Sequence, residues 1–402
     1  MKKISILSLS LLTVMAGAAV APALGVIREH FSDSSQMAVQ LIISMPALFI
    51  FATSFIFPKL TQRFRVKTLV MIGLVLYVSG GCLAGVCSTI YMVLAFRALV
   101  GIGVGIIMPL STGLLAFYYP PEQLDGLMGM SSAMNQMGGV IATLISGMLA
   151  QVSWRASFLV YALGLLCIIL CMIFLPNDKL SDGEDISEDD IEVNTGRVES
   201  EIIEIKKRHP FARYYPFIIT MFLLMMTFFL YPANFAIETI KEGIFTQKWI
   251  SVIMAGMDLV AFFGGLCFVH IKRIMGRRML MFAPLVFLAG YAFLAFGGGC
   301  IGPFLGSALV GFANGSGIPA IISEASQRAG RQAVSSVMPL LSAAIYLGQF
   351  LAPFAMSGVS RMFAGTLAGA GPHFHLPYYF AIVICLLMTV WNVLTIICKS
   401  EE

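Results

Sequence analysis

The run Ala98-Leu99-Val100-Gly101-x-x-x-Gly105-x-x-x-Pro109 returns 210 residues later as Ala308-Leu309-Val310-Gly311-x-x-x-Gly315-x-x-x-Pro319. Both copies lie in long apolar stretches. The same offset, without a gap, pairs Pro22 with Pro232, Arg63 with Arg273, Gly80 with Gly290, Ser132-Ala133 with Ser342-Ala343, and Gly138 with Gly348. A register kept over most of each half marks an internal duplication. Such a duplication in a membrane chain is the pattern of secondary transporters, whose substrate sites lie at mid-membrane between the repeats.

The membrane setting follows from composition. Of 402 residues 58% are hydrophobic and only 11% charged, more apolar surface than a soluble fold of this size buries. About 20 apolar residues are needed to cross roughly 30 Å of hydrocarbon. Twelve stretches qualify, near 5–27, 35–57, 68–87, 89–117, 127–151, 157–175, 214–237, 249–270, 279–298, 301–323, 333–358 and 377–398. The expected fold class is therefore all-α integral membrane, with 12 transmembrane helices as two six-helix repeats. The expected domains are 1–176 and 213–402, joined by an acidic, solvated linker at 177–212.

Lysine and arginine near helix ends set the orientation. With both termini cytoplasmic, 19 of the 25 basic residues face the cytoplasm, including Lys2, Lys3, the loop from Lys59 to Lys67, the loop from Lys272 to Arg278, Arg328, Arg331 and Lys399. The net charge of +4 is thus a topology signal, and no nucleic-acid partner is expected. Met1-Lys2-Lys3 and the small residues Ala16 to Ala23 imitate a secretory signal. Retention is expected, because Pro22 is in register with Pro232. The eight cysteines have no paired spacing and read as small core hydrophobes. His373 and His375 supply two metal ligands, too few for a site, and neither metal nor cofactor is expected.

Two charged residues lie deep in apolar helices, Arg97 in the fourth and Asp258 in the eighth. An ionised group at mid-helix costs about 2.5–3.5 kcal/mol on insertion scales, so each needs a wet cavity or a partner. A carboxyl group taken out of water favours its neutral form, and Asp258 is the candidate for proton coupling; the alternative is a static hydrogen bond between helices. Arg97 binds an anionic substrate group, tunes a nearby carboxyl, or braces helices. Asn135, Gln136, Tyr231, Asn234, Asn314, Tyr346 and Gln349 supply further polar groups for a substrate cavity with Arg97. Gly101, Gly105, Pro109, Gly311, Gly315 and Pro319 allow close packing and bending, and are the candidate conformational elements with Arg63 and Lys67. Glu238 and Glu324 lie near membrane surfaces, where solvated or loop-pairing roles are expected.

The six-plus-six pattern with a cytoplasmic central loop resembles the major facilitator superfamily over the whole chain. The loop Pro58-Lys59-Leu60-Thr61-Gln62-Arg63-Phe64-Arg65-Val66-Lys67 is similar to that family's Gly-x-Leu-x-Asp-Arg-x-Gly-Arg-Lys. Leu60, Arg63 and Lys67 match, but Gln62 stands at the acidic position and Arg65 at the second glycine. The second copy keeps Gly276-Arg277-Arg278 and has Arg273 at the acidic position. Arg97-x-x-x-Gly101-x-Gly103-x-Gly105 looks like the motif of proton-coupled members. Trp154-Arg155-x-x-Phe158 resembles the family's approach to helix 6, and Asn135-Gln136-Met137-Gly138-Gly139 keeps the paired glycines of the antiporter motif without its Gly-Pro.

The resemblance implies alternating access, with proton-coupled efflux antiport of a small organic solute as the leading expectation. The 25 Met and 31 Phe suit an adaptable apolar pocket. The runner-up is an uptake symporter or facilitator for a small organic anion held by Arg97. No His-Glu-x-x-His, phosphate-binding loop or Gly-x-Ser-x-Gly turn is present, so no enzyme activity is expected and energy would come from a gradient. The expected setting is the inner (plasma) membrane, with lipid, protons and substrate as partners and the chain as a monomer.

Overall fold

Apolar runs without backbone partners in lipid must close their hydrogen bonds within the segment, which leaves helices as the economical solution. The computed structural model describes residues 2–178, 211–243, 245–297, 299–363 and 375–394, and within them the chain is helical throughout its apolar stretches. Eleven described helices are long and apolar enough to cross a membrane: α1 (Lys2–His30), α2 (Gln36–Thr61), α3 (Val66–Ala84), α4 (Ile90–Leu115), α5 (Gly126–Ala150), α6 (Trp154–Phe174), α7 (Tyr214–Lys241), α8 (Gln247–Met275), α9 (Met279–Phe296), α10 (Ile301–Ala325) and α11 (Leu340–Met362). A shorter apolar helix, α12 (Leu376–Asn392), follows. Residues 179–210, most of the expected linker, lie outside the described residues, as do His373 and Lys399.

Polar residues mark several helix starts. Ser35 accepts from the Ala38 amide at 3.2 Å, Thr89 from Met92 at 3.4 Å and Ser153 from Arg155 at 3.2 Å, each satisfying an amide that the first turn leaves open. Two spans are not single α-helices. α1 is α-helical over Lys2–Ala18, tightens to a 3-10 turn at Ala21–Ala23 and resumes at Leu24–His30. Pro22 lies in that turn, where it removes an amide from the ladder. α6 begins with a short helix at Trp154–Ser157 and a 3-10 turn at Phe158–Ala162 before Leu163–Phe174. Between α10 and α11, where basic residues predict a loop, the backbone remains helical from Ile301 to Met362. Ser323 to Ser336 contains Glu, Ala, Gln and Arg and no proline, so the helix runs through the one strong local opponent, Gly330.

The duplication is visible in the packing. A β-carbon on Gly80 would stand 2.8 Å from the Phe96 carbonyl oxygen and 2.9 Å from the Val100 nitrogen. One on Gly290 would stand 3.1 Å from the Gly306 oxygen and 3.1 Å from the Val310 nitrogen, the same contacts shifted by the repeat offset. Gly101 and Gly105 seat α4 on Pro46 and Thr53 of α2, and Gly311 and Gly315 seat α10 on the Met257 and Ala261 carbonyls of α8. These four glycines therefore pack helices within each half, not between halves, at distances only a missing side chain permits.

Helices α1–α6 and α7–α12 meet most tightly on the side opposite Lys2, called here the far side. Gln40 Nε2 of α2 donates to Asn234 Oδ1 of α7 at 2.5 Å, and Gln247 Nε2 of α8 donates to the Pro22 carbonyl of α1 at 2.6 Å. A β-carbon on Gly25 would lie 2.7 Å from the Ala236 oxygen, and one on Gly147 of α5 would run into Ser251 of α8. Glu238, expected near a surface, faces His375 at 3.6 Å at the start of α12.

Candidate functional site

Below that seal the halves separate around two adjoining cavity lobes that share lining residues. The central lobe, about 300 Å³, is bounded by α1, α2, α4 and α5 from the first half and α7, α8, α10 and α11 from the second. A near-side lobe of about 580 Å³ opens toward the side of Lys2 and is lined by hydroxyls, including Ser10, Thr13, Ser54, Ser132 and Ser342. Tyr346 of α11 and Met108 of α4 border both lobes, and the tyrosine hydroxyl contacts the Met108 sulfur across the neck. Ser132 and Ser342, equivalent in the repeat, both line the near-side lobe, and Ser132 borders the central one as well.

Six polar residues singled out by sequence line the central lobe: Asp258, Asn135, Gln136, Asn314, Tyr346 and Gln349. Asp258 lies eleven residues into α8, about 16 Å from its far end at 1.5 Å per residue. Its Oδ2 accepts from Thr143 Oγ1 of α5 at 2.9 Å. That hydrogen bond crosses from one half to the other. Thr13 Oγ1 donates to Asn135 Oδ1, while Asn314 Oδ1 is buried with no hydrogen-bond partner. Met225, Met254, Met257, Phe228 and Phe229 supply the apolar wall.

Three residues expected in the cavity are elsewhere. Arg97 is fully buried and absent from both lobes. Its Nε donates to the Ile42 carbonyl at 2.7 Å, its Nη2 to the Ala16 carbonyl at 2.5 Å, and its Nη1 to the Tyr161 hydroxyl, which itself donates to Ala16 at 2.8 Å. The reason lies in the helix breaks. Ile42 is four residues before Pro46, which has no amide to offer it. Ala16 lies in the last turn before α1 tightens, where carbonyls go unpaired and the dipole favours a cation. Arg97 thus closes two backbone defects with one guanidinium. Its repeat counterpart is Ser307, and the space is filled there by Tyr231, whose hydroxyl bonds Ser307 at 2.6 Å. Tyr231 is accordingly buried behind the wall, and Asn234 is held in the far-side seal by Gln40 and by its own donation to the Leu230 carbonyl at 2.8 Å.

Among the candidate conformational residues, Gly105 and Pro109 border the near-side lobe. Arg63 is exposed two residues past α2, where the helix ends, Lys67 stands partly exposed in the first turn of α3, and Pro319 is partly buried in α10. Sequence reasoning missed Thr143, Gln40 and Gln247. Thr143 lies seven residues after Gln136 and four after Gly139, which puts it on their helix face; only that periodicity could have flagged it.

The sequence pattern of the Major Facilitator Superfamily matches residues 6–353. The chain belongs to this family. Its fold agrees closely with solved members of it: a nucleoside transporter, NupG, at 13% identity and TM-score 0.75, covering 98% of each chain, and a D-xylose–proton symporter at 14% and 0.71, covering 96% of each. A bacterial homolog of the human lysosomal transporter Spinster, in an inward-facing and unoccupied conformation, aligns at 14% and 0.74 over 98% of this chain and 94% of that one. Among curated relatives, multidrug resistance protein 3 of Bacillus subtilis is 28% identical over 104 residues, 26% of this chain and 20% of the relative. The quinolone resistance protein NorA of Staphylococcus aureus is 29% identical over 123 residues, 30% of this chain and 32% of the relative. The matches to these two thus span no more than about a third of either relative.

Proposed function

We propose that this superfamily member is a proton-coupled exporter that takes small organic cations with an apolar body from the cytoplasm. The observation that carries the proposal is the chemistry of the central lobe. Its polar wall offers acceptors, the Asp258 carboxylate and the unpartnered Asn314 oxygen, and no lysine or arginine is among its described lining residues. A positive or hydrogen-bond-donating group satisfies both, and the Met and Phe side chains adapt to the rest of the molecule. Two of the relatives are named for drug resistance, which supports efflux.

Coupling on this reading needs one group. Asp258 holds either a proton or the cation's charge, so that loading one expels the other. A proton moving down 100 mV supplies about 2.3 kcal/mol, enough for more than tenfold accumulation. The excess of basic residues on the Lys2 side supports a cytoplasmic position for that side; on this reading the open lobe faces inward, in a plasma membrane with both termini cytoplasmic. The anion-symport alternative loses its anchor, because Arg97 is buried outside both lobes and directs three of its N–H groups to Ala16, Ile42 and Tyr161.

The test is internal pH in proteoliposomes with an imposed proton gradient, challenged with tetraphenylphosphonium, ethidium and a set of small carboxylates. Cation-triggered proton movement in the wild type, absent in Asp258→Asn of equal abundance, is the expected result. Carboxylate-triggered movement that survives Asp258→Asn would overturn the proposal.

A further inference from the structure

An exchanger that runs on one carboxylate has a specific hazard. If the empty, ionised carrier changes face as readily as the protonated one, protons cycle through it without any substrate and the gradient is wasted. Something must hold the empty ionised state in place.

The seam between α5 and α8 contains such a device. Thr143 Oγ1 of the first half donates to Asp258 Oδ2 of the second at 2.9 Å. Gly139, one turn earlier on α5, lies beside the carboxylate: a β-carbon there would be in ordinary contact with Oδ2 at 3.8 Å. Immediately toward the far side, Gly147 and Ser251 bring the same two helices into close contact. Opening the far side must part these helices, and so must break the hydrogen bond. The seam related by the repeat, between α2 and α11, has Leu48 and Pro353 at the equivalent positions, neither of which carries a charge. The other titratable groups near Asp258 in the described structure are Tyr346, which lines the lobe, and Tyr231 behind its wall.

We infer that Thr143 is a positioning residue that locks the empty carrier, by holding ionised Asp258 across the seam until a proton or a cation neutralises it. This rests on the proposed role of Asp258 as the coupling group. A hydroxyl bound to a carboxylate is held about twice as strongly as one bound to a neutral acceptor. Neutralisation therefore weakens the lock, whether the neutralising charge is a proton or the substrate. Removing the hydroxyl frees the ionised carrier to change face, and the predicted consequence is a proton leak that needs no substrate.

The experiment uses the full chain in proteoliposomes loaded with a pH dye, with a potassium diffusion potential and no organic substrate. Wild type and Thr143→Ser are expected to be proton-tight. Thr143→Val and Thr143→Ala are expected to leak protons about tenfold faster or more, and Thr143→Val combined with Asp258→Asn to be tight again. Two replacements of different size keep the test usable if one fails to fold. Tight membranes with both variants present and folded would overturn the lock, as would a leak that persists without the carboxyl. Failure of the coupling role itself has a different signature, cation-triggered proton movement that survives Asp258→Asn alone.

Discussion

Arg97→Lys separates a brace from a ligand. The guanidinium makes three charge-assisted hydrogen bonds, to Ile42 O, Ala16 O and Tyr161 Oη, with donors fixed in one plane. A lysine keeps the buried charge but places a single ammonium on a flexible stem, and serves one of these directions well. One to two bonds to a charged group are lost, at about 1.5–3 kcal/mol each. The Ile42 carbonyl, which Pro46 leaves without an amide, is the one most exposed to that loss. A destabilisation of about 3 kcal/mol follows, which corresponds to roughly 6–12 °C if each half melts as a unit of its size. Purified protein in detergent can be heated with a dye that fluoresces on reaction with thiols, since Cys87, Cys167, Cys171 and Cys385 are buried and report unfolding. The brace account requires a fall in melting temperature with tetraphenylphosphonium affinity within about twofold of wild type at low temperature. An unchanged melting temperature with a tenfold or greater loss of binding would refute it and return Arg97 to the ligand.

Three further outcomes are expected. Gln40→Leu strips a partner from Asn234 in the buried far-side seal, at about 1–3 kcal/mol, and should raise the far-side-open population about tenfold or more in distance distributions between spin labels on the two halves. Gly315→Val drives a side chain into the Ala261 backbone and should abolish folded protein on size-exclusion chromatography, whereas Gly113→Ala meets nothing within 4 Å and should leave stability unchanged or raise it by up to about 1 kcal/mol. Asn314→Leu removes the unpartnered acceptor and should weaken a primary-ammonium probe about three- to tenfold in equilibrium binding, leaving tetraphenylphosphonium, which has no N–H, unaffected.

The fold was legible because its cause is periodic. Apolar length marked each span, and the repeat register anticipated that Gly80 and Gly290 would meet equivalent atoms of the following helix. The cavity was legible in part for a related reason. An acid at Asp258 and amides at Asn135, Asn314 and Gln349 have few stable destinations in lipid other than a shared polar space. Arg97 satisfied the same reasoning and ended elsewhere. Its destination depends on carbonyls freed at Pro46 and at the end of Lys2–Ala18, and those become acceptors only once three helices are rotated into contact. Tyr231 and Asn234 were misplaced for a similar reason, since their partners, Ser307 and Gln40, are far away in sequence. Thr143 carried no signal beyond the helix face it shares with Gln136 and Gly139: a lone threonine in an apolar helix ordinarily bonds its own backbone, and its role comes from the helix of the other half.

The central claim is that one carboxyl is shared in turn by proton and cation, and proton release on binding tests it most directly. Purified protein in weakly buffered detergent would be titrated with tetraphenylphosphonium, which has no proton to give, while pH and bound ligand are followed together across the physiological range. The account predicts release approaching one proton per bound cation at the acidic end, declining as pH rises, and none from Asp258→Asn. Binding without release at any pH, or release undiminished in Asp258→Asn, would contradict it.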